Sequence, residues 1–193
     1  MTRDLIAEIQ SLSLENVQLR REIEFLRGNP SIARGMKGET LIVELLAANF
    51  AKPGSGHDIV ATDNQLLIEV KYSSLLKAIG ELPIRRWAWT KLFGELGKKR
   101  YDRLLLLGDS DPRFAYQYLA PESPYVIFDI PYDEAVSMVG GVRPGRLSRL
   151  HLTTNPSTVK SSRAKALFQH YQVSPAELRY RYPSITTYLT PGK

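Results

Sequence analysis

The sequence predicts an α/β protein in which a mixed β-sheet flanked by helices follows an N-terminal coiled-coil helix. Three observations predict this class. The first 28 residues carry a leucine heptad repeat. In residues 56–71, two short apolar runs flank polar turn residues, which is the pattern of a β-hairpin. Two further apolar runs, at 104–107 and 124–131, indicate buried strands. The resulting order of helix, hairpin, helix, strand and strand is compatible with a sheet covered by helices.

The composition of the chain indicates in which cellular compartment the protein works and what kind of partner it binds. The chain of 193 residues contains no cysteine, which excludes a disulfide framework and a cysteine–zinc site. No apolar run reaches the length of a membrane span, and the N-terminus does not resemble a signal peptide. We therefore expect a soluble cytoplasmic protein with no membrane partner. The net charge of +6 favours an anionic partner, and double-stranded DNA is the first candidate.

The heptad repeat predicts a parallel homodimer. Its d positions are Leu5, Leu12, Leu19 and Leu26. Its a positions are Ile9, Asn16 and Ile23. Glutamates at g face arginines at e of the other chain, as Glu15 would face Arg20, and one asparagine at an a position favours a dimer in register. We assign residues 1–28 to a dimerisation helix. An amphipathic helix packed on its own domain is the alternative.

A hairpin with a two-residue turn at Asp63-Asn64 would gather three charged side chains. In that register Asp58 lies directly opposite Glu69, and directly opposed residues share one face of the sheet. Lys71 follows Glu69 by two residues and joins the same face, because side chains repeat with period two along a strand. The pattern predicts a compact cluster of two carboxylates and one ammonium.

This cluster favours chemistry on phosphate. Two close carboxylates repel each other unless a cation sits between them, and Mg²⁺ binds one or two carboxylates together with substrate phosphate and water. An ammonium beside such a site stabilises negative charge that develops on phosphate. The alternative is a solvated strand face with alternating charges and no function.

Asp58, ten residues and then Glu69-Val70-Lys71 resembles the PD-(D/E)xK nuclease superfamily, which includes restriction endonucleases and archaeal Holliday-junction resolvases. The resemblance covers roughly residues 35–107, and His57 stands where the family usually has proline. It implies a restriction-endonuclease-like fold and a metal site of Asp58, Glu69 and the Val70 carbonyl, filled by Mg²⁺ with Mn²⁺ as substitute. It also implies that Lys71 is the third catalytic group.

The family's preceding helix often supplies another acidic residue, and a helix is expected here from about Ser31 or Gly35 to Asn49. Glu39 shares the inward stripe of this helix with Val43 and Leu46. Glu39 is therefore a catalytic candidate, and a salt bridge at the edge of the core is its alternative.

The segment from Arg85 to Arg103 is basic and aromatic, with seven basic residues against two acids. Such a composition suits phosphate contacts and stacking. Its DNA-binding candidates are Arg85, Arg86 and Lys91. On a helix, Trp87 and Trp89 would point in different directions, so we expect at least one of them in the core.

Capping signals divide the later part of the chain. Asp133 is expected to cap a short helix that runs to Met138 and ends at Gly140-Gly141. A strand is expected at 150–153, followed by a helix from Asn155 to about His170. Ser174-Pro175-Ala176-Glu177 predicts a further short helix.

The C-terminal segment is strongly basic. Residues 143–193 hold nine basic residues and one acid. Its DNA-binding candidates are Lys160, Arg163 and Lys165. The two predicted helices form either a helix-turn-helix that binds DNA or a packed pair with a solvated basic face.

These features predict three parts: a dimerisation helix at 1–28, a nuclease core at 31–142 and a basic helical segment at 143–193. The expected function is Mg²⁺-dependent DNA endonuclease activity of a homodimer, of the restriction type. A Holliday-junction resolvase and a non-catalytic dimeric DNA-binding protein are the alternatives.

Overall fold

The structure is a computed structural model that describes residues 2–52, 54–61, 65–75, 85–94, 99–140 and 148–183. The chain divides into two compact units, Met1–Met36 and Lys37–Lys193. The α-helices are α1 (Thr2–Gly28), α2 (Pro30–Leu46), α3 (Tyr132–Met138), α4 (Ser162–Ala166) and α5 (Pro175–Arg181). The strands are β1 (Asn49–Phe50), β2 (Ile59–Ala61), β3 (Leu66–Ser73), β4 (Arg86–Thr90), β5 (Arg103–Asp109), β6 (Tyr125–Pro131), β7 (Arg149–Thr153) and β8 (Gln172–Val173).

The predicted N-terminal helix is confirmed as α1, which ends at Gly28. The side-chain amide of Asn29 donates to the Phe25 carbonyl over 2.8 Å and satisfies one carbonyl of the last turn. Pro30 opens α2, where its missing N–H has no helical partner to lose. In the described parts of the chain, no helix combines the length and apolarity that a membrane crossing needs.

A six-stranded mixed sheet forms the centre of the second unit, in the order β1-β2-β3-β5-β6-β8. Only the β3–β5 pair in this order is parallel. The predicted hairpin register is confirmed, because Ile59 pairs with Ile68 and Ala61 with Leu66. The predicted turn at residues 63–64 lies outside the described residues. The mixed α/β class is therefore established.

Both faces of this sheet are covered. On one face, Ile42 and Leu46 of α2 and Leu178 of α5 pack against the strands. On the other face, the separate two-stranded β4–β7 sheet packs through its tryptophans, together with α3 and the helical segment after Ser162. Alternate residues of β3 therefore enter different layers, with Ile68 and Val70 facing the α2 layer.

The helix expected after the hairpin is wrong for residues 86–90, which form the strand β4. Aromatic and smaller residues alternate here with period two, so Trp87 and Trp89 share the inward face and both are fully buried. Each indole N–H donates to a backbone carbonyl of β5, Trp87 to Asp109 over 2.9 Å and Trp89 to Leu107 over 2.8 Å. Both tryptophans are core residues, which excludes stacking on DNA in this conformation.

The short helix α3 follows β6 directly. Pro131 occupies the N-cap position and Asp133 lies in the first turn, so the prediction of Asp133 as the cap is wrong. An aspartate within the first turn still interacts favourably with the helix dipole. Gly140 has a φ of 74°, which only glycine adopts without strain, and it ends the helix as predicted.

The predicted strand at 150–153 is confirmed as β7, but the helix expected from Asn155 begins later. The Asn155 side chain accepts from the amide of Ser157 and caps only a single 3₁₀ turn, Pro156–Thr158. Ser161 provides the true cap by accepting from the amide of Ala164 over 3.2 Å. A π-helical turn, Leu167–Tyr171, continues α4.

The capping signature at Ser174 is confirmed, since its hydroxyl accepts from the Glu177 amide over 3.0 Å at the start of α5. The connection before α5 is not the brief turn of a helix-turn-helix. It contains β8, which pairs with β6 at the edge of the central sheet. Arg181 and Tyr182 then reach the buried carboxylate of Asp129, at 3.1 and 2.9 Å.

Candidate functional site

The hairpin brings together the three charged residues that the sequence predicts. Asp58 immediately precedes β2, and Glu69 and Lys71 lie on β3 on the face opposite Ile68 and Val70. Oδ2 of Asp58 accepts from the backbone amide of Val70 over 2.9 Å. Asp58 thus lies beside β3, one residue before the Ile59–Ile68 pair, and its carboxylate is fixed beside Glu69.

Lys71 contacts every oxygen group of the predicted metal site. Its ammonium donates to the Glu69 carboxylate and, over 3.1 Å, to the Val70 carbonyl. It also lies 3.6 Å from Oδ2 of Asp58. Its role as a catalytic group stays a prediction, but its position on the predicted face is confirmed.

Lys99 is a fourth member of the cluster, which the hairpin pattern does not predict. Its ammonium lies 2.7 Å from each oxygen of Glu69 and 3.1 Å from Oδ1 of Asp58. In the sequence Lys99 is only one residue of the basic run from Arg85 to Arg103, and no spacing rule connects it to the hairpin. The two carboxylates therefore converge on one positive charge contributed from a distant part of the chain.

Backbone packing places Lys99 in the cluster. Its amide donates to the Phe93 carbonyl over 3.1 Å. A Cβ added to Gly56 would lie 3.4 Å from the amide nitrogen of Arg100. The loop before the hairpin at Gly56 therefore lies next to the backbone of residues 99–100.

Burial and charge set the protonation of the two carboxylates. Burial is the largest influence on Glu69 and, together with the nearby Asp58 charge, raises its pKa to about 7 against the attraction of the lysines. Burial also opposes ionisation of Asp58. The ammoniums of Lys71 and Lys99 and the Val70 amide outweigh it, so the pKa of Asp58 lies below its ordinary value. Asp58 is thus the ionised member near neutral pH, and Glu69 titrates there.

Glu39 lies on α2 close enough to feel this cluster. Its side chain is half-buried, and burial followed by the charge of Asp58 raises its pKa above the ordinary value. Lys71 and Lys99 act in the opposite direction. The structure therefore places Glu39 within electrostatic reach of the hairpin residues, while its catalytic role stays a prediction.

The six predicted DNA-binding residues are all exposed and lie in two regions. Arg85, Arg86 and Lys91 lie immediately before, at the start of and immediately after β4. Lys160, Arg163 and Lys165 lie before and along α4. Exposure makes these side chains accessible to a polyanion, and their binding role stays a prediction.

The donor set fits a hard divalent cation. Two carboxylates and the Val70 carbonyl provide oxygen ligands, the type that Mg²⁺ prefers. The Lys99 ammonium marks the point where a positive charge is stable between Asp58 and Glu69. Across the described ranges, no three or more His, Cys, Asp or Glu side chains are grouped to hold a metal ion, so substrate or water would have to complete the coordination.

Comparisons with protein-family models, with curated proteins and with solved structures found no match for this chain.

Proposed function

We propose that this protein is a Mg²⁺-dependent DNA endonuclease of the PD-(D/E)xK type with a restriction-endonuclease-like fold. One observation carries the proposal. Three carboxylate oxygens of Asp58 and Glu69 converge on the Lys99 ammonium, at 2.7 to 3.1 Å. A pair of buried carboxylates aimed at one point is the arrangement that binds a metal and a phosphate together.

Each residue of the cluster has a task in this proposal. Asp58, Glu69 and the Val70 carbonyl would hold Mg²⁺, or Mn²⁺ in its place. The bound ion would supply charge neutralisation and an activated water. Lys71 lies beside all three donors, so its ammonium would stabilise the negative charge that develops on the scissile phosphate. Glu39 would assist from α2 through a water molecule.

The heptad repeat of α1 favours a homodimer as the active assembly. A two-fold axis presents two sites to the two strands of a duplex in equivalent ways. Such symmetry suits a palindromic target and hence a restriction-type enzyme. It suits a four-way DNA junction equally well, so a junction resolvase is the closest rival activity.

One observation favours a non-catalytic role for the cluster. Lys71 and Lys99 together balance the charges of Asp58 and Glu69, so the four groups form a self-contained ion network. In that case the protein is a dimeric DNA-binding protein, and the network stabilises the fold.

Cleavage assays separate these functions. Supercoiled plasmid and a synthetic four-way junction are incubated with protein in Mg²⁺ or in EDTA. The variants Lys71→Met and Glu39→Gln are run with a matched control, Glu44→Gln, which changes an exposed carboxylate on the same helix. Removing one charge that stabilises the transition state costs roughly 10²–10³ in rate, so we expect Lys71→Met to lose that factor and Glu44→Gln to keep wild-type activity.

The pattern of products decides the outcome. Discrete plasmid fragments indicate a restriction-type enzyme, and paired symmetric nicks in the junction indicate a resolvase. Cleavage that persists in EDTA, or that Lys71→Met leaves unchanged, contradicts the proposed mechanism. Duplex binding without cleavage of either substrate supports the non-catalytic DNA-binding protein.

A further inference from the structure

Lys99 holds the position at which a metal ion would bind. Its ammonium contacts three carboxylate oxygens of Asp58 and Glu69, and the Glu69 side chain is completely shielded from solvent. Lys71 supplies a second positive charge to the same carboxylates. With Asp58 and Glu69 ionised, two negative charges already face two positive ones before any ion arrives.

We propose that Lys99 is a tethered cation that competes with the divalent metal for Asp58 and Glu69, an inference that rests on the proposed metal-dependent function. A metal ion bound by the same oxygens would lie a few ångströms from the ammonium, and like charges at that distance repel strongly even at the effective dielectric of a protein surface. Metal and Lys99 therefore exclude each other. The four-carbon stem lets the ammonium withdraw without movement of the backbone.

This competition links metal loading to substrate. Adding a divalent ion to a neutral cluster leaves an excess of positive charge, which a DNA phosphate offsets by binding both the ion and the displaced ammonium. The free protein should hold Mg²⁺ or Mn²⁺ weakly, and the complex with DNA should hold it tightly. Removing the Lys99 charge should strengthen metal binding in the absence of DNA.

Mn²⁺ binding by isothermal titration calorimetry tests the competition without any measurement of cleavage. Metal-free wild type is compared with Lys99→Met and Lys99→Gln, the second of which keeps a hydrogen-bond donor without charge. Arg100→Met is the matched control, because it removes the same charge from the neighbouring residue, whose guanidinium binds Tyr132 instead. Circular dichroism verifies that each variant is folded.

We expect both Lys99 variants to bind Mn²⁺ roughly ten-fold or more tightly than wild type, and Arg100→Met to bind as wild type does. Equal or weaker binding by the Lys99 variants overturns the competition, and the proposed nuclease stands if wild type still cleaves DNA with metal. An absence of Mn²⁺ binding in every protein, with and without DNA, overturns the competition and the metal-dependent function together.

The β4–β7 pair has one buried face and one exposed face. Its inward positions carry the two buried tryptophans and Leu152. Its outward positions carry, in register, Arg86 opposite Thr153, Ala88 opposite His151 and Thr90 opposite Arg149. Arg86, Arg149 and His151 are exposed, and neither strand contains an acidic residue.

We infer that this outward ribbon face binds duplex DNA, which is the substrate of the proposed function. A two-stranded antiparallel ribbon fits the major groove, and its arginines can contact phosphates or guanine edges. Arg149 and His151 were not among the DNA-binding residues that the sequence predicts. Pairing with β4 places them on the same face as Arg86, although Arg86 and Arg149 are 63 positions apart in the sequence.

Fluorescence anisotropy with a labelled duplex, over a series of salt concentrations and in EDTA to prevent cleavage, tests this face. The double variant Arg86→Ala/Arg149→Ala is compared with Arg21→Ala/Arg34→Ala, which removes two exposed charges from α1 and α2. We expect the ribbon variant to bind roughly ten-fold or more weakly and to lower the salt slope by about two, one for each phosphate contact. The control should match wild type.

Equal affinities and salt slopes for the ribbon variant and wild type overturn the assignment and leave DNA binding to other surfaces. A wild-type protein that binds no duplex contradicts both the ribbon face and the proposed function.

Discussion

Val70 and Asp58 are joined by a hydrogen bond of 2.9 Å from the Val70 amide to Oδ2 of Asp58. The aspartate side chain thereby satisfies the backbone N–H of Val70, which lies beyond the last residue pair between β2 and β3. The same carboxylate has a second oxygen that receives the Lys99 ammonium. Asp58 therefore makes one contact that needs only an oxygen acceptor, to the Val70 amide, and one that needs its charge, to Lys99. Substitutions can test the two contacts separately.

Asp58→Asn keeps an oxygen acceptor for the Val70 amide but removes the charge. We expect Asp58→Asn to lose metal-dependent cleavage and, because it loses only the ion pairs with the lysines, to be destabilised less than Asp58→Ala. Asp58→Ala removes the acceptor as well and leaves a shielded amide unsatisfied, which should cost about 1–3 kcal/mol in the free energy of unfolding. Equal destabilisation by both substitutions would contradict this separation.

The raised pKa of Glu69 predicts how the stability of the metal-free protein depends on pH. In the folded protein Glu69 keeps its proton up to about pH 7, whereas in the unfolded chain it releases the proton near its ordinary pKa of 4.5. The folded state therefore binds more protons between these values, and stability should fall as pH rises through them, by up to about 3 kcal/mol.

Among the charged neighbours of Glu69, only Glu39 has a pKa shift that affects stability in the same pH range. The raised pKa of Glu39 acts with the same sign, the lowered pKa of Asp58 acts only at more acidic pH, and the raised pKa of Lys99 acts only at more basic pH.

Urea unfolding at pH 5 and pH 8 should show a smaller loss of stability for Glu69→Gln than for wild type. Glu44→Gln is the control and should follow wild type. A Glu69→Gln protein with the full wild-type loss would show that Glu69 does not titrate in this range.

The sequence was sufficient for those parts of the fold that local rules determine. Period-two patterning and turn residues predicted the register that brings Asp58 to Glu69, and a local capping rule predicted the role of Ser174. These predictions succeeded because the partners are near each other in sequence.

The remaining parts depend on contacts between distant segments. Lys99 reaches Glu69 across thirty residues, and Arg149 meets β4 only because β7 pairs with it. Asn155 was predicted as a helix cap because its residue type is correct, but its local hydrogen bond closes a 3₁₀ turn and the helix begins at Ser162. No pattern in a single sequence specifies such pairings.

Gly38 lies where α2 crosses β3, and there is no room for a larger residue. A Cβ at this position would lie 2.7 Å from Cβ of Tyr72, an atom fixed to the strand backbone that cannot rotate away. Gly38→Ala should therefore destabilise the protein by about 1–3 kcal/mol in urea unfolding, even though alanine favours helix formation. Since Glu39 is the next residue, the displacement should also reduce cleavage.

Gly28→Ala is the matched control for Gly38→Ala. It is also a helical glycine, and no atom lies within 4 Å of an added Cβ. The helix-forming preference of alanine is then unopposed, and stability should be unchanged or higher by up to about 1 kcal/mol. If both substitutions stabilise the protein alike, the contact between α2 and β3 is looser than the structure shows.

The α1 helix offers a test of the predicted dimer. In a single chain three of its heptad residues are exposed, Ile9 at 61%, Leu12 at 58% and Leu19 at 50%. A second chain packed in heptad register would bury this seam, and a charge at a d position would be trapped without a partner. Leu19→Asp should therefore convert a dimer to a monomer in light scattering coupled to size-exclusion chromatography.

Leu14 provides the control, because it is 73% exposed but lies at position f, away from the seam. Leu14→Asp introduces the same charge on the same helix and should remain dimeric. Monomeric wild type at every concentration contradicts the coiled-coil dimer, and an equal effect of both substitutions contradicts the heptad register. If Leu19→Asp is monomeric, its cleavage of duplex DNA separates two mechanisms. A single-strand nicking activity that persists shows that each chain holds a complete site, whereas complete loss shows that the two chains act only together.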